Sequence, residues 1–289
     1  MVGISSSYFA SLGCGIYESV ERAVDLGFRH VELGANHDYE DDVFQVLKKI
    51  KREFGRDVSF SVHGYFPPIY KRPYLFNVGE GLTEENRKVV DEMLRVGEVL
   101  GVEIAGFHPG LNNYMKYVGE LRNFPGFKKF INGGAIDGKR AVSNVYEVFK
   151  FICRKAKKTG IKVCIENIYI ADEMKNGVEM SLNGHDDFRR ILDEIDSLYF
   201  LYDYGHAYIE EADKDVYFKF REKIIEVHLS GVIKGSDHFS IFKGEYNLEE
   251  VVSKVKKYCD DPLLVLEYSG GVSESDVERE KRMIESIVG

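Results

Sequence analysis

Eight short apolar runs, each followed by an amphipathic stretch, constrain this chain more than any other feature of its sequence. The runs are Gly3–Phe9, His30–Gly34, Val58–His63, Glu103–His108, Lys162–Asn167, Tyr199–Tyr204, Ile224–Leu229 and Leu263–Tyr268, all rich in Val, Ile, Phe or Tyr. Their length and composition predict strands. The stretches between them carry helical spacing. Val89, Met93, Val96 and Leu100 share one face, behind Thr83 as N-cap with Glu84 and Glu85 in the first turn. Val145, Val148, Phe149 and Ile152 share another, and Phe188, Ile191, Leu192 and Ile195 a third. A short helix is expected near Asp213–Phe220. Gly27, Gly101 and Gly160 stand where helix C-caps need a left-handed residue. Strands alternating with helices imply parallel pairing through crossovers. Eight such units, at about 36 residues each, predict a single (β/α)8 barrel. A doubly wound open sheet fits less well, because Ser5-Ser6-Ser7 stands where that fold carries a glycine-rich phosphate loop.

The 289 residues, 44% hydrophobic and 30% charged, show no linker composition, so residues 1–289 are read as one domain. Net charge is −9, which makes a nucleic acid or an anionic membrane a less natural partner. The cysteines, Cys14, Cys153, Cys164 and Cys259, are scattered and read as reduced thiols. Without a signal-peptide pattern or a long apolar run, a cytoplasmic location off the membrane is expected. No obligate protein partner is inferred. Residues 109–136, between the fourth strand and its helix, form an exceptionally long loop, and such loops tend to be functional.

In a barrel of this kind the active site lies at the C-terminal strand ends. Those ends read Ser61-Val62-His63-Gly64, Gly106-Phe107-His108-Pro109-Gly110, Cys164-Ile165-Glu166-Asn167, Tyr202-Asp203-Tyr204-Gly205-His206, Glu226-Val227-His228 and Leu266-Glu267-Tyr268, with Ser236-Asp237-His238 after the seventh strand. Five of the eight histidines fall in this set. Carboxylates at the ends of apolar strands are costly unless paired or metal-bound. Imidazoles and carboxylates converging on one mouth suit a divalent transition metal. The other histidines are expected elsewhere: His30 at the opposite face of the barrel, His185 at a helix start, and His37 in the loop after strand two, where it could meet substrate.

These motifs, in this order and over nearly the whole chain, resemble the family-2 AP endonucleases, the xylose isomerase-like barrels that include endonuclease IV and many sugar isomerases and epimerases. The most specific pieces are Phe107-His108-Pro109-Gly110, Glu166-Asn167 and Asp203-x-x-His206-Ala207. The resemblance to endonuclease IV implies two or three zinc ions. His63 and His108 would bind one, bridged by Glu166 to a second that Asp203, His228 and Glu267 complete. His206 and His238, with a carboxylate near Asp237, would hold the third. Matching through His238 and Gly244 puts Ser236 where the family has its aspartate, so Asp237 must substitute. The epimerase-like members imply a single Mn2+, Co2+ or Mg2+ on Glu166, Asp203, His228 and Glu267, with Glu166 and Glu267 as catalytic proton carriers.

Having both His63 and His108 favours the multi-metal reading. The expected activity is therefore cleavage at abasic sites in DNA or of a related phosphate ester. The alternative is isomerisation or epimerisation of a small, phosphorylated sugar. Expected substrate contacts are Tyr65, Phe66, Lys71 and Arg72 after strand three, Asn167, and Lys234. Aromatics beside cations suit stacking and phosphate contact. The 109–136 segment adds Tyr114, Lys116, Tyr117, Arg122, Phe124, Phe127, Lys128, Lys129 and Phe130, as a cover for substrate or a lid packed on the rim. The acidic loop Asp38-Tyr39-Glu40-Asp41-Asp42 opposes a phosphate backbone.

Overall fold

The structure is a computed structural model that describes residues 1–34, 36–122, 128–170 and 176–289. Eight parallel strands close into a barrel. They are β1 (Val2–Ser5), β2 (His30–Leu33), β3 (Ser59–His63), β4 (Ile104–Phe107), β7 (Lys162–Glu166), β8 (Leu198–Asp203), β9 (Ile224–Leu229) and β12 (Leu263–Leu266). Two antiparallel hairpins stand outside it: β5 (Asn113–Glu120) with β6 (Lys128–Ala135), and β10 (Gly231–Ile233) with β11 (Ser236–Phe239). Helices cover the barrel wall. In α4 (Glu84–Leu100), Thr83 accepts the Asn86 N–H as N-cap and Gly101 closes the helix at φ +74°. Its apolar face, Val89, Met93, Val96 and Leu100, is buried against the sheet. So are Val145, Val148, Phe149 and Ile152 of α5 (Gly138–Ala156) and Phe188, Ile191 and Leu192 of α6 (His185–Glu194). Each such side chain contributes roughly 1.5–3 kcal/mol of burial free energy. All four cysteines are free and buried. Among the described residues no helix is long and apolar enough to cross a membrane.

Three expectations change. The first strand ends at Ser5, and Ser7–Ser11 is the short helix α1. Tyr8 and Phe9 are buried in that helix, and burial on all sides erases the periodicity that separates helix from strand. Residues 109–136 are not an open loop, because most of them form the β5–β6 hairpin. The short helix expected near Asp213–Phe220 is a 3-10 turn at Val216–Phe220. Phe124 and Phe127 lie outside the described residues.

Strand alternation sends every second side chain into the barrel. That interior is polar beneath the mouth. His30 is 4% exposed, with its ring nitrogens 2.9 Å from Ser59 Oγ and 3.0 Å from Ser61 Oγ. Burial drives its pKa down to about 4. Gly3 makes room for it, since a Cβ there would stand 2.7 Å from His30 Cδ2. Above this layer lie Glu32, Glu226 and His228, all essentially inaccessible.

Candidate metal centre

Nine predicted ligands converge on the barrel mouth. His63, Glu166 and Asp203 end β3, β7 and β8, His228 is the penultimate residue of β9, and His108 and Glu267 directly follow β4 and β12. His206 sits in α7 (Tyr204–Glu210), and Asp237 and His238 lie in β11. They form three groups, in each of which one ligand atom per residue lies within 4.8 Å of the others: His63, His108 and Glu166; Glu166, Asp203, His228 and Glu267; His206, Asp237 and His238. A fourth group meets the same condition, Glu32 with His63, His228 and Glu267, and shares every member but Glu32 with the first two. Glu166 joins the first two. Its Oε2 is 2.7 Å from His63 Nε2 and 3.1 Å from His108 Nε2, while Oε1 faces His228 Nδ1 at 3.7 Å. In the third group Asp237 Oδ2 is 2.9 Å from His206 Nε2 and 3.5 Å from His238 Nε2. Asp237, not Ser236, therefore supplies that carboxylate. Gly106 admits the His63 ring, since a Cβ there would stand 2.8 Å from His63 Cδ2.

Outer partners aim these ligands. Asn167 Nδ2 donates to the Asp203 carbonyl at 2.7 Å, and its Oδ1 accepts the Asp203 N–H at 2.9 Å. Asp203 Oδ1 accepts the His206 N–H at 2.7 Å as the N-cap of α7. The Asn167 carbonyl can only accept, so His206 Nδ1, 2.8 Å away, donates and leaves Nε2 facing Asp237. Tyr169 donates its hydroxyl to Asp237 Oδ1 at 2.8 Å. His228 Nε2 is 3.0 Å from Glu32 Oε2, leaving Nδ1 toward the mouth, 3.0 Å from Glu267 Oε2. Asp203 and Asp237 thus each have one oxygen held and one free. Glu166 Oε1, Asp203 Oδ2 and Asp237 Oδ2 are buried and accept no hydrogen bond of good geometry. Buried carboxylate oxygens aimed at imidazoles, with outer partners fixing the tautomers, fit divalent metal ions.

The electrostatics agree. Burial penalises the His63 imidazolium, but Glu166 and Glu32 outweigh it and raise its pKa to about 9. His206 and His228 are raised well above the ordinary value, against burial, by Asp203 and Asp237 for the one and by Glu32 and Glu267 for the other. Burial lifts Asp203 to about 7 in spite of His206. Glu166 is held well below the usual range, because His63 and His108 overcome its burial. Such crowding of acidic and basic groups marks a functional site.

The expected substrate contacts fare unevenly. Tyr65 lines the cavity over the ligands. Phe66 does not reach it, because its ring is fully buried in the core. Asn167 commits its side chain to Asp203, as described above. Lys71 and Arg72 are exposed, Lys71 lying 3.5 Å from Asp41. Lys234 is exposed at the tip of the β10–β11 hairpin, with φ +52°. None of these four lines the cavity. His37 is buried, 2.9 Å from Ser6 Oγ, and burial lowers its pKa to about 3. The sequence reading missed Glu32, Glu226 and Tyr169. Glu32 carries the same signal as Glu166, a carboxylate on an apolar strand, but stands one residue short of the end of β2.

A closed parallel barrel with metal-capable groups at its mouth defines a TIM barrel with a candidate metal centre. The family described as xylose isomerase-like TIM barrel matches residues 20–287, and the chain belongs to it. No curated protein sequence matches significantly. Solved structures do. A D-tagatose 3-epimerase-like protein is 20% identical with a TM-score of 0.68, over 99% of this chain and 97% of that one. The IolI protein with a bound zinc atom is 11% identical with a TM-score of 0.69, over 99% and 97%. A Thermus thermophilus protein soaked with ZnCl2 is 18% identical with a TM-score of 0.63, over 100% and 97%. At these identities the likeness establishes the fold.

Proposed function

We propose that this protein is a divalent-metal-dependent hydrolase of phosphate esters, built for three metal ions, with zinc the best match to its imidazole and carboxylate donors. The carrying observation is the pair of ligand groups flanking the central four. A single-metal sugar enzyme needs Glu166, Asp203, His228 and Glu267 alone. Here His63 with His108 and the shared Glu166, and His206 with Asp237 and His238, form further groups whose candidate ligand atoms lie within 4.8 Å of one another. Tyr169 and Asn167 add dedicated support to the third. The zinc atom bound in one structural neighbour, and the ZnCl2 soak of another, support the choice of metal.

Clustered metal ions would lower the pKa of a water and offset charge on the attacking and leaving oxygens of a phosphoester. The chain's own residues do the positioning. Glu166 spans two groups and sets their separation. Glu32 holds His228, Asn167 holds His206 and Asp203, and Tyr169 holds Asp237, so the site is organised before substrate arrives. Cleavage at an abasic site in DNA is one reaction of this class.

Epimerisation of a small sugar is the second reading. It is favoured by the completeness of the central four-residue group, and by structural neighbours that include a D-tagatose 3-epimerase-like protein and an L-ribulose 3-epimerase. In that reaction Glu166 and Glu267 would carry the proton to and from carbon. One panel separates the two: zinc-loaded protein with an aryl phosphodiester and an abasic duplex, and manganese-loaded protein with ketoses. Ester hydrolysis is expected. Ketose epimerisation without any ester hydrolysis would overturn the proposal.

A further inference from the structure

The metal-ligand floor is covered. A cavity of about 200 Å³ lies between His63, His108, Glu166, His206, Asp237 and Glu267 below and Leu121, Lys128 and Phe130 of the hairpin segment above. The hairpin is fastened on three sides. At its base, Asn77 Nδ2 donates to the Asn113 carbonyl at 2.8 Å and Asn77 Oδ1 accepts the Leu111 N–H at 2.8 Å. On the connection between β7 and α6, the Gly177 carbonyl accepts from Asn113 Nδ2 at 2.9 Å and the Glu179 N–H donates to Asn113 Oδ1 at 2.8 Å. Across the mouth, Lys128 Nζ donates to the carbonyls of Asn36 at 3.0 Å and His37 at 3.2 Å. The cavity walls are apolar, with Leu75, Phe76, Leu111, Leu121, Phe130 and Met180 facing it.

Resting on the phosphoester reading, we infer that the substrate is a small phosphate ester carrying an apolar alkyl or aryl group, and not duplex DNA. An apolar cavity of about 150 Å³ holds a benzene ring. The volume here thus suits one ring-sized group beside a phosphate on the floor. Duplex DNA, even with an abasic nucleotide flipped out, must seat several phosphates, and cations are what seat them. Apart from histidines, Lys128 is the one cationic side chain lining the cavity among the described residues. Its Nζ is already engaged by two carbonyls and lies 3.3 Å from Asp38. The acidic loop from Asp38 to Asp42 adjoins it. Two of the polar side chains lining the cavity, Asn77 and Tyr169, spend their polar groups within the protein, and the other neutral ones are Ser7, Asn36 and Tyr65. Hydrolysis forms one P–O bond to the water oxygen and breaks the P–O bond to the apolar alcohol, whose oxygen receives the proton that the water gives up.

Calorimetric binding to the full zinc-loaded chain tests this with phenylphosphonate, methylphosphonate and inorganic phosphate, alongside hydrolysis of methyl p-nitrophenyl phosphate, a diester with a single ring, and of an abasic duplex. Phenylphosphonate should bind at least ~10-fold tighter than the other two, the worth of burying one ring. Phe130→Ala, and separately Leu121→Ala, should reduce that preference to roughly threefold or less and leave inorganic phosphate affinity unchanged. The diester should be hydrolysed and the duplex left intact. Equal affinity for all three anions, or cleavage of the duplex at a kcat/KM at or above that of the diester, overturns the inference and leaves the phosphoester reading standing. If no anion binds and no ester is hydrolysed, the phosphoester reading fails and takes the inference with it.

Discussion

The floor and the roof of the mouth are built on different principles. The floor is a set of strand-end side chains fixed by the barrel itself, with oxygens and nitrogens left free toward the centre. The roof is a two-stranded hairpin outside the barrel, fastened by side chain-to-backbone hydrogen bonds and presenting Leu121 and Phe130 to the cavity. On the proposed function, metal chemistry and substrate choice are separable: the floor would determine what bond can be attacked, and the roof what can lie over it.

Breaking the floor should have the largest effect. Glu166→Gln removes the carboxylate shared by two ligand groups, so metal content should fall and ester hydrolysis should drop by more than the ~10–100-fold that loss of an outer partner costs. Elemental analysis and steady-state kinetics read both. Glu32→Gln tests that outer layer. It loosens the partner of His228 Nε2 and should weaken metal affinity ~10–100-fold in a chelator competition. Unchanged affinity would remove Glu32 from the account.

Loosening the roof should leave the metals alone. Asn77→Ala strips the partners of the Leu111 N–H and the Asn113 carbonyl, and should cost on the order of 1–3 kcal/mol in thermal or urea unfolding. Metal content should not move. A drop in metals per chain would show that floor and roof are coupled after all.

Acid unfolding of chelator-treated protein probes the buried histidines of both regions. His30 beneath the floor and His37 beside the roof anchor are held neutral by burial, with pKa lowered from 6.5 to about 4 and about 3. Below pH 6.5 the unfolded chain binds protons that the folded chain refuses. The stability these residues contribute is therefore complete above pH 6.5 and is lost as pH falls toward 4 and then 3. Each should add a slope of at most about 1.4 kcal/mol per pH unit to urea unfolding. His37→Gln should flatten its share of that slope.

The sequence exposed the floor far better than the roof, for physical reasons. Glu166 and Asp203 stand out because an apolar strand does not tolerate a carboxylate without cause. The same rule applied to Glu32, between Val31 and Leu33, would have found it. Tyr169 left no such signal, because a tyrosine after a strand is ordinary until its hydroxyl is seen on Asp237. The β5–β6 hairpin was hidden because its hydropathy does not alternate. Tyr114 and Val118 are exposed on one face while Met115 and Tyr117 lie half-buried on the other. Phe66 looked like a stacking platform beside Tyr65, yet neighbouring aromatics can take opposite directions, and only Tyr65 faces the cavity.

The number of metal ions bound per chain tests the central claim most directly. Protein stripped with chelator, reloaded with zinc, desalted and measured by elemental mass spectrometry should hold three ions per chain: one on His63, His108 and Glu166, one on Glu166, Asp203, His228 and Glu267, and one on His206, Asp237 and His238. One ion per chain would contradict the account and return the site to the single-metal chemistry of a sugar epimerase.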